Sequence, residues 1–237
     1  MGMNTTSEAL TVINGYKDME MLRLAMMWRK LGSNSFIVLE KISELEPVFR
    51  LAEEMGVEPQ LGVRAKLHSK GMGRWAGSTG ERGKFGLSSV EIMYIVRKLR
   101  EHGKLHWLRM VHFHIGSQIA KVQVIKDSVI EGARVYASLT KMGVPLAFIN
   151  VGGGLGVDYL GAGDENKSSL NYSTRNYVEN IVYNLQQICD LEGVGHPNIV
   201  TESGRFITAL HSLVVTKVID RVQLDYLDFP DEEETEE

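Results

Sequence analysis

The sequence predicts an α/β fold of parallel strands with helices packed outside them, and three observations carry that expectation. Strand-length apolar runs alternate six times in succession with helix-length amphipathic stretches. Most connections between them are short, so consecutive strands should be neighbours in one sheet. The length, 237 residues, falls just below the ~250 of a typical (β/α)8 barrel.

Residues 10–14 are the first strand candidate, and residues 18–31 read as a helix with Met21, Leu22, Leu24, Ala25 and Trp28 at helical spacing. Residues 36–39 form a continuous apolar run, as expected of a strand buried on both faces. Ser43 opens the next helix with Glu46 three residues on, a capping box, and that helix runs to Met55 and Gly56. A strand over 61–67 follows, then a helix over 88–102 opened by Ser88 or Ser89 and closed by Gly103. Residues 108–115 are a strand, 122–142 a long helix ending at Gly143, and 146–151 a strand. Residues 177–191 are helical and 198–202 make the sixth strand. Residues 206–222 are rich in β-branched types with no helix after them, so the alternating unit ends near Arg205. Two long polar stretches, 69–84 and 161–173, are expected to be lids or binding loops.

Composition narrows the class. With 43 % apolar and 24 % charged residues the chain reads as a soluble globular protein. No apolar run approaches the roughly 18–20 residues of a membrane helix, and no leader pattern marks export. One cysteine, Cys189, forms no internal disulfide and points to a reducing cytoplasm. The net charge of −4 conceals an acidic end: residues 225–237 hold eight acids and no base, leaving 22 acids against 26 bases elsewhere. Such a run is expected to be a solvated, disordered tail. The remaining bases are scattered, which excludes a nucleic-acid footprint.

In parallel α/β folds ligands gather at the C-terminal strand ends. Those ends read Asn14-Gly15-Tyr16-Lys17, Glu40, Arg64 to Leu67, His112 to Gln118, Gly152-Gly153-Gly154-Leu155-Gly156 and Glu202-Ser203-Gly204-Arg205. Apart from Glu40, they suit an anion. Gly152, Gly153 and Gly154 can form a backbone nest around a phosphate, with Arg205 and Ser117 as further donors, or can simply make a tight strand exit. Glu202 can pair with Arg205 or face a protonated ring nitrogen. His114 can stack on a flat cofactor, whereas His112 and His114 on one strand face can also ligate a metal or sit in the core. Arg64, between Val63 and Ala65, needs an anionic partner if it points inward, or else it sends its head to solvent.

These segments resemble the biosynthetic arginine decarboxylases, in the alanine-racemase-like, fold-type III class of pyridoxal-phosphate enzymes. The resemblance runs from about Leu10 to Val222. The histidine, glycine and Glu-x-Gly-Arg segments belong to the wider class, while Asn14 to Asp18, Ser69 to Leu87 and Asn171-Tyr172-Ser173 are similar to the arginine branch. The resemblance implies a (β/α)8 TIM-type barrel with about six of eight strand–helix units present. It implies that Gly152, Gly153, Gly154, Ser117 and Arg205 hold the phosphate of pyridoxal 5'-phosphate, that His114 stacks on its ring, that Glu202 meets the ring nitrogen and that Arg64 lies near the phenolic oxygen. His114 and Glu202 are then the catalytic residues present. Ile149, Asn150, Val151, Gly156, Val157, Asp158 and Tyr159 fall in the stretch treated as substrate-binding. The implied reaction is conversion of L-arginine to agmatine and CO2 in polyamine biosynthesis by a cytoplasmic homo-oligomer. Mg2+ follows from the family alone, with no ligand cluster that demands it.

Two departures accompany the resemblance. Ser203 stands where relatives often have proline. The lysine that carries the cofactor lies upstream of Asn14 in the family, and Lys17 matches a different family lysine. The expectation is therefore a fragment without turnover: 1–205 a partial barrel, 206–224 the start of a C-terminal β-domain, 225–237 the tail. The alternatives are a non-catalytic pyridoxal-phosphate-binding paralogue, a decarboxylase of ornithine or diaminopimelate, and a metal hydrolase built on His112 and His114.

Overall fold

Six strands lie in one parallel sheet in the order of the chain: β1 (Thr11–Ile13), β2 (Ser35–Leu39), β3 (Gln60–Arg64), β4 (Leu108–His112), β5 (Phe148–Asn150) and β6 (Asn198–Val200). The computed structural model describes residues 8–68, 84–165 and 168–221. Most of the predicted 69–84 loop and the acidic tail lie outside the described residues. Each strand but the last leads to a long helix: α1 (Met19–Lys30), α2 (Leu45–Met55), α3 (Ser89–Glu101), α4 (Val122–Lys141) and α5 (Thr174–Glu192). A short α6 (Gly204–Thr208) follows β6, and residues 209–221 form neither helix nor strand. Among the described residues no helix is long and apolar enough to cross a membrane.

The helix boundaries have local causes. Ser88 caps α3 in a reciprocal box with Glu91, and Ser173 does the same for α5 with Asn176, three residues before the predicted start. Gly56 ends α2 and Gly193 ends α5 in the left-handed conformation, at φ of 61° and 65°. The predicted Ser43–Glu46 box does not form. A 3-10 turn over Ile42–Glu44 leads into α2, and Glu44 stands at the cap without capping it. Its carboxylate is already committed, accepting the Lys17 N–H at 2.9 Å and the Glu40 N–H at 2.8 Å.

The pleat divides the apolar residues into two clusters. Ile13, Ile37, Leu39, Leu61, Val63, Val111 and Ile149 pack against the helices. Phe36, Val38 and Met110, with Leu10, Val12, Phe148 and Val200 against them, fill the opposite face. That second face is concave. Five spacings of a flat sheet would part β1 from β6 by about 24 Å. Yet Asn14, just past β1, donates from Nδ2 to Glu202 Oε1, just past β6, at 2.5 Å. The sheet therefore curls until its two edge strands meet across the mouth, as a barrel wall does. Gly62 of β3 makes room inside the curl, since a Cβ there would lie 3.1 Å from Val38 Cγ2 and 3.3 Å from Met110 Cβ.

Outside the curl, α4 approaches β4 closely at Gly132. A Cβ on Gly132 would fall 2.2 Å from Cε1 of the fully buried Phe113. Gly132→Ala should therefore destabilise the fold by about 1–3 kcal/mol through overpacking, although the same change on an open helix face stabilises by roughly 0.5–1 kcal/mol. Urea midpoints check the sign.

Candidate active site

The strand ends collect the charged and polar side chains. Arg64, His112 and Asn150 are in register across β3, β4 and β5, so the pleat sends all three to the concave side together. They share its parity with Val38, Met110 and Phe148, one pleat nearer the bottom. Asn14, Glu40, His114 and Glu202 continue that parity at the ends of β1, β2, β4 and β6.

Arg64 finds its anionic partner in Glu40, the one strand end that reads as unsuited to an anion. Its Nη1 lies 2.9 Å and 3.1 Å from the two Glu40 oxygens, and the Glu40 side chain is fully buried. Glu40 also accepts the Gly15 N–H at 2.7 Å, which fastens the end of β1 to β2. Beside it Lys17 is buried completely. Its Nζ donates to the Gly15 carbonyl at 2.5 Å and the Val38 carbonyl at 2.6 Å and lies 3.4 Å from Glu44. Burial lowers the Lys17 pKa, and the Glu44 charge opposes that shift.

Burial shifts both histidines toward the neutral form. Burial pulls His112 down from 6.5 to about 4, with Glu202 opposing and Arg64 assisting. His114 is lowered by burial and then by Arg64. The Gly153 N–H donates to His114 Nδ1 at 3.3 Å, so the ring proton of neutral His114 belongs on Nε2. His112 and His114 do share a face. Among the described residues, however, no group of three His, Cys, Asp or Glu is placed to hold a metal ion.

The glycine run is tighter than a free nest. Gly152 has φ 69° and Gly154 φ 113°, and a Cβ on Gly152 would sit 2.5 Å from the Phe113 carbonyl oxygen. A Cβ on Gly153 would sit 2.8 Å from the Glu202 carbonyl oxygen. The glycines let β4, β5 and β6 exit side by side. The N–H of Gly152 is spent on Asn150 Oδ1 at 2.8 Å and that of Gly153 on His114. The Gly154 N–H has no acceptor among the described residues. Next to it Arg205 Nη2 donates to Ser117 Oγ at 3.0 Å and Nη1 reaches Tyr159 at 3.5 Å. Arg205 has no carboxylate partner among the described residues.

The loops that carry these groups are fastened to each other. Gln118, at φ 54°, pairs its amide with both backbone groups of Val157, at 2.6 and 3.0 Å. The buried Tyr172 hydroxyl donates to Ile119 O at 2.7 Å and accepts the Gly156 N–H at 3.2 Å. Asp158 accepts from Gly161, Gly163 and Ser169 and so organises its own loop. Of the predicted substrate stretch, Ile149 and Val151 lie in the helix-side core, whereas Asn150 faces the mouth and Tyr159 its rim. Glu40, Asn14, Gln118 and Tyr172 received no role from the sequence. Strand parity was a signal for the first two.

Three comparisons bear on this arrangement. The family described as pyridoxal-dependent decarboxylase, pyridoxal binding domain, matches residues 1–209. A biosynthetic arginine decarboxylase of Marinobacter nauticus is 44 % identical over 229 residues, covering 97 % of this chain and 35 % of that protein. One from Alkalilimnicola ehrlichii is 47 % identical over 209 residues, 88 % of this chain and 33 % of that protein. The crystal structure of the biosynthetic arginine decarboxylase from Campylobacter jejuni superposes with a TM-score of 0.74 at 33 % identity, covering 85 % of this chain and 32 % of that one. Diaminopimelate decarboxylase from Helicobacter pylori, complexed with L-lysine, shares the fold, with a TM-score of 0.66 at 24 % identity over 84 % of this chain and 45 % of that one. The chain spans about a third of the length of the curated relatives it matches.

The buried imidazole of His112 gives the site a pH signature. Between pH 6.5 and about 4 the unfolded chain takes up a proton at His112 that the folded chain refuses. Stability should fall as pH falls through that window, by ~3 kcal/mol at most from this group. His112→Gln should flatten the slope of urea stability against pH there; a slope equal to the parent's overturns the assignment.

Proposed function

The chain belongs to the pyridoxal-dependent decarboxylases, and from that premise we propose that its strand-end site takes pyridoxal 5'-phosphate and serves the decarboxylation of L-arginine to agmatine. The observation that carries the cofactor reading is the order of charges round the mouth. Arg205, with no carboxylate of its own among the described residues, Ser117 Oγ 3.0 Å from it and the Gly154 N–H suit a phosphate. Arg64 suits a phenolic oxygen, and Glu202 suits a protonated ring nitrogen. Neutral His114 is a flat partner for the ring.

When bound, the cofactor supplies an electron sink for the carbanion left by CO2. This chain's residues bind and orient it: Arg205 and Ser117 anchor one end, Glu202 holds a proton at the ring nitrogen, and Arg64, already held by Glu40, faces the oxygen side. Arginine as substrate is supported by the names of the relatives, and Asn150, Gly156, Val157, Asp158 and Tyr159 are the candidates for its side of the site. Turnover is proposed to need residues outside this sequence, because the relatives are about three times as long.

Joining this chain in cis to the upstream segment of a relative should yield arginine decarboxylation that the chain alone lacks. Release of CO2 from ornithine or diaminopimelate but not arginine overturns the substrate. Turnover by the unaided chain overturns the need for added residues. Separately, Arg205→Ala should weaken binding of pyridoxal phosphate to the chain about tenfold or more and leave pyridoxal binding unchanged, by fluorescence titration. Equal losses for both ligands place the arginine elsewhere.

A further inference from the structure

We propose that Asn14 and Asn150 are positioning residues that hold the Glu202 carboxylate in one orientation, so that its Oε2 is the oxygen offered to the ring nitrogen of the cofactor. The inference rests on the pyridoxal reading of the site.

Both amides act on one atom. Asn14 Nδ2 lies 2.5 Å and Asn150 Nδ2 2.9 Å from Glu202 Oε1. A carboxylate oxygen accepts along two in-plane directions, so two donors saturate Oε1 and fix the plane. Oε2 receives no hydrogen bond from the described residues. One donor lies just past β1, the far edge strand, and the other on β5, the neighbour of β6, which pins the carboxylate from two sides. Neither amide can turn over. Asn150 would lose the Gly152 N–H that its Oδ1 accepts at 2.8 Å, and Asn14 would bring an oxygen against the carboxylate. Asn14 is held this way although its Oδ1 is buried without a partner among the described residues, an arrangement that costs stability.

The chemical class of the donors matters as much as their geometry. A guanidinium or ammonium in their place would neutralise Glu202 and remove its attraction for a protonated ring nitrogen. Amides orient without neutralising. The cations that could compete are elsewhere: Arg64 is paired with Glu40, Arg205 lies on Ser117, and both histidines have lowered pKa values through burial. The direction of Glu202 is thus set by neutral groups.

The test uses the intact chain with non-covalently bound pyridoxal phosphate labelled with 15N in the ring. Its nitrogen shift is followed against pH in the parent, Asn14→Ala and Asn150→Ala, with binding and thermal unfolding measured alongside. The ring nitrogen should lose its proton about one pH unit lower, a tenfold change, in each variant, while phosphate-driven affinity changes little. A variant that folds, binds and titrates as the parent does overturns the inference. If the parent binds no pyridoxal phosphate, the underlying reading fails first, and the role of the amides with it. Should both variants unfold, side-chain amide exchange in the unaltered chain decides: protected Asn14 and Asn150 NH2 groups that shift on adding cofactor support the arrangement, and amides that exchange as freely as solvent-exposed asparagines, or do not respond to cofactor, overturn it.

Discussion

Every strand of the curled sheet offers its concave side only alternate residues, and the site is what that constraint leaves room for. Two pleats up from the bottom the offered positions are apolar: Val12, Phe36, Val38, Met110 and Phe148 close the floor. At the next pleat they become Asn14, Glu40, Arg64, His112 and Asn150, with Glu202 completing the ring. Floor and site are thus one continuous face, and the same backbone geometry that packs the first orients the second. Moving any strand by one residue would bury a charge against the helices and turn an aliphatic side chain into the mouth.

Within that ring, charge is matched locally and early. Glu40 neutralises Arg64, and Glu44 sits by Lys17 beneath them, so one part-buried and one buried cation are settled inside the protein. Burial also favours the uncharged form of both histidines. Among the described residues round the mouth, the anion Glu202 and the cation Arg205 then have no ion-pair partner. A molecule carrying a phosphate at one end and a protonated ring nitrogen at the other answers both. Breaking the Arg64–Glu40 pair from one side would leave a buried charge with nothing to meet it, which costs far more than the pair itself stabilises.

The alternation of elements was readable because the central strands are buried on both faces and each of the five long helices has one apolar stripe. All six strands and five long helices stand close to their expected places. Boundaries at the ligand end were less legible: β4 stops at His112 and β6 at Val200, since beyond them the chain leaves the ladder to make the mouth. The α2 cap misled because Glu44 serves Lys17 and Glu40, two partners that sequence spacing does not bring near. Arg64 was readable as needing an anion, but which anion depended on register. The glycines were readable as a turn or a nest and prove to do the work of a turn first, with two of their three N–H groups already used. Asn14 carried a signal that parity could have revealed, two residues after inward Val12.

The hydrogen bond from Asn14 to Glu202 joins positions 188 residues apart, whereas every pairing in the sheet joins consecutive strands. Folding can therefore add one strand–helix unit to the next through short loops, each closing at little entropic cost. The mouth follows a different schedule. Its ring of side chains is incomplete until the last strand has docked, so during synthesis the wall exists before the site does. Until β6 is in place, neither Glu202 nor Arg205 stands at the mouth. A ligand that needs both of those charges can be held only once the chain has been made through to Arg205.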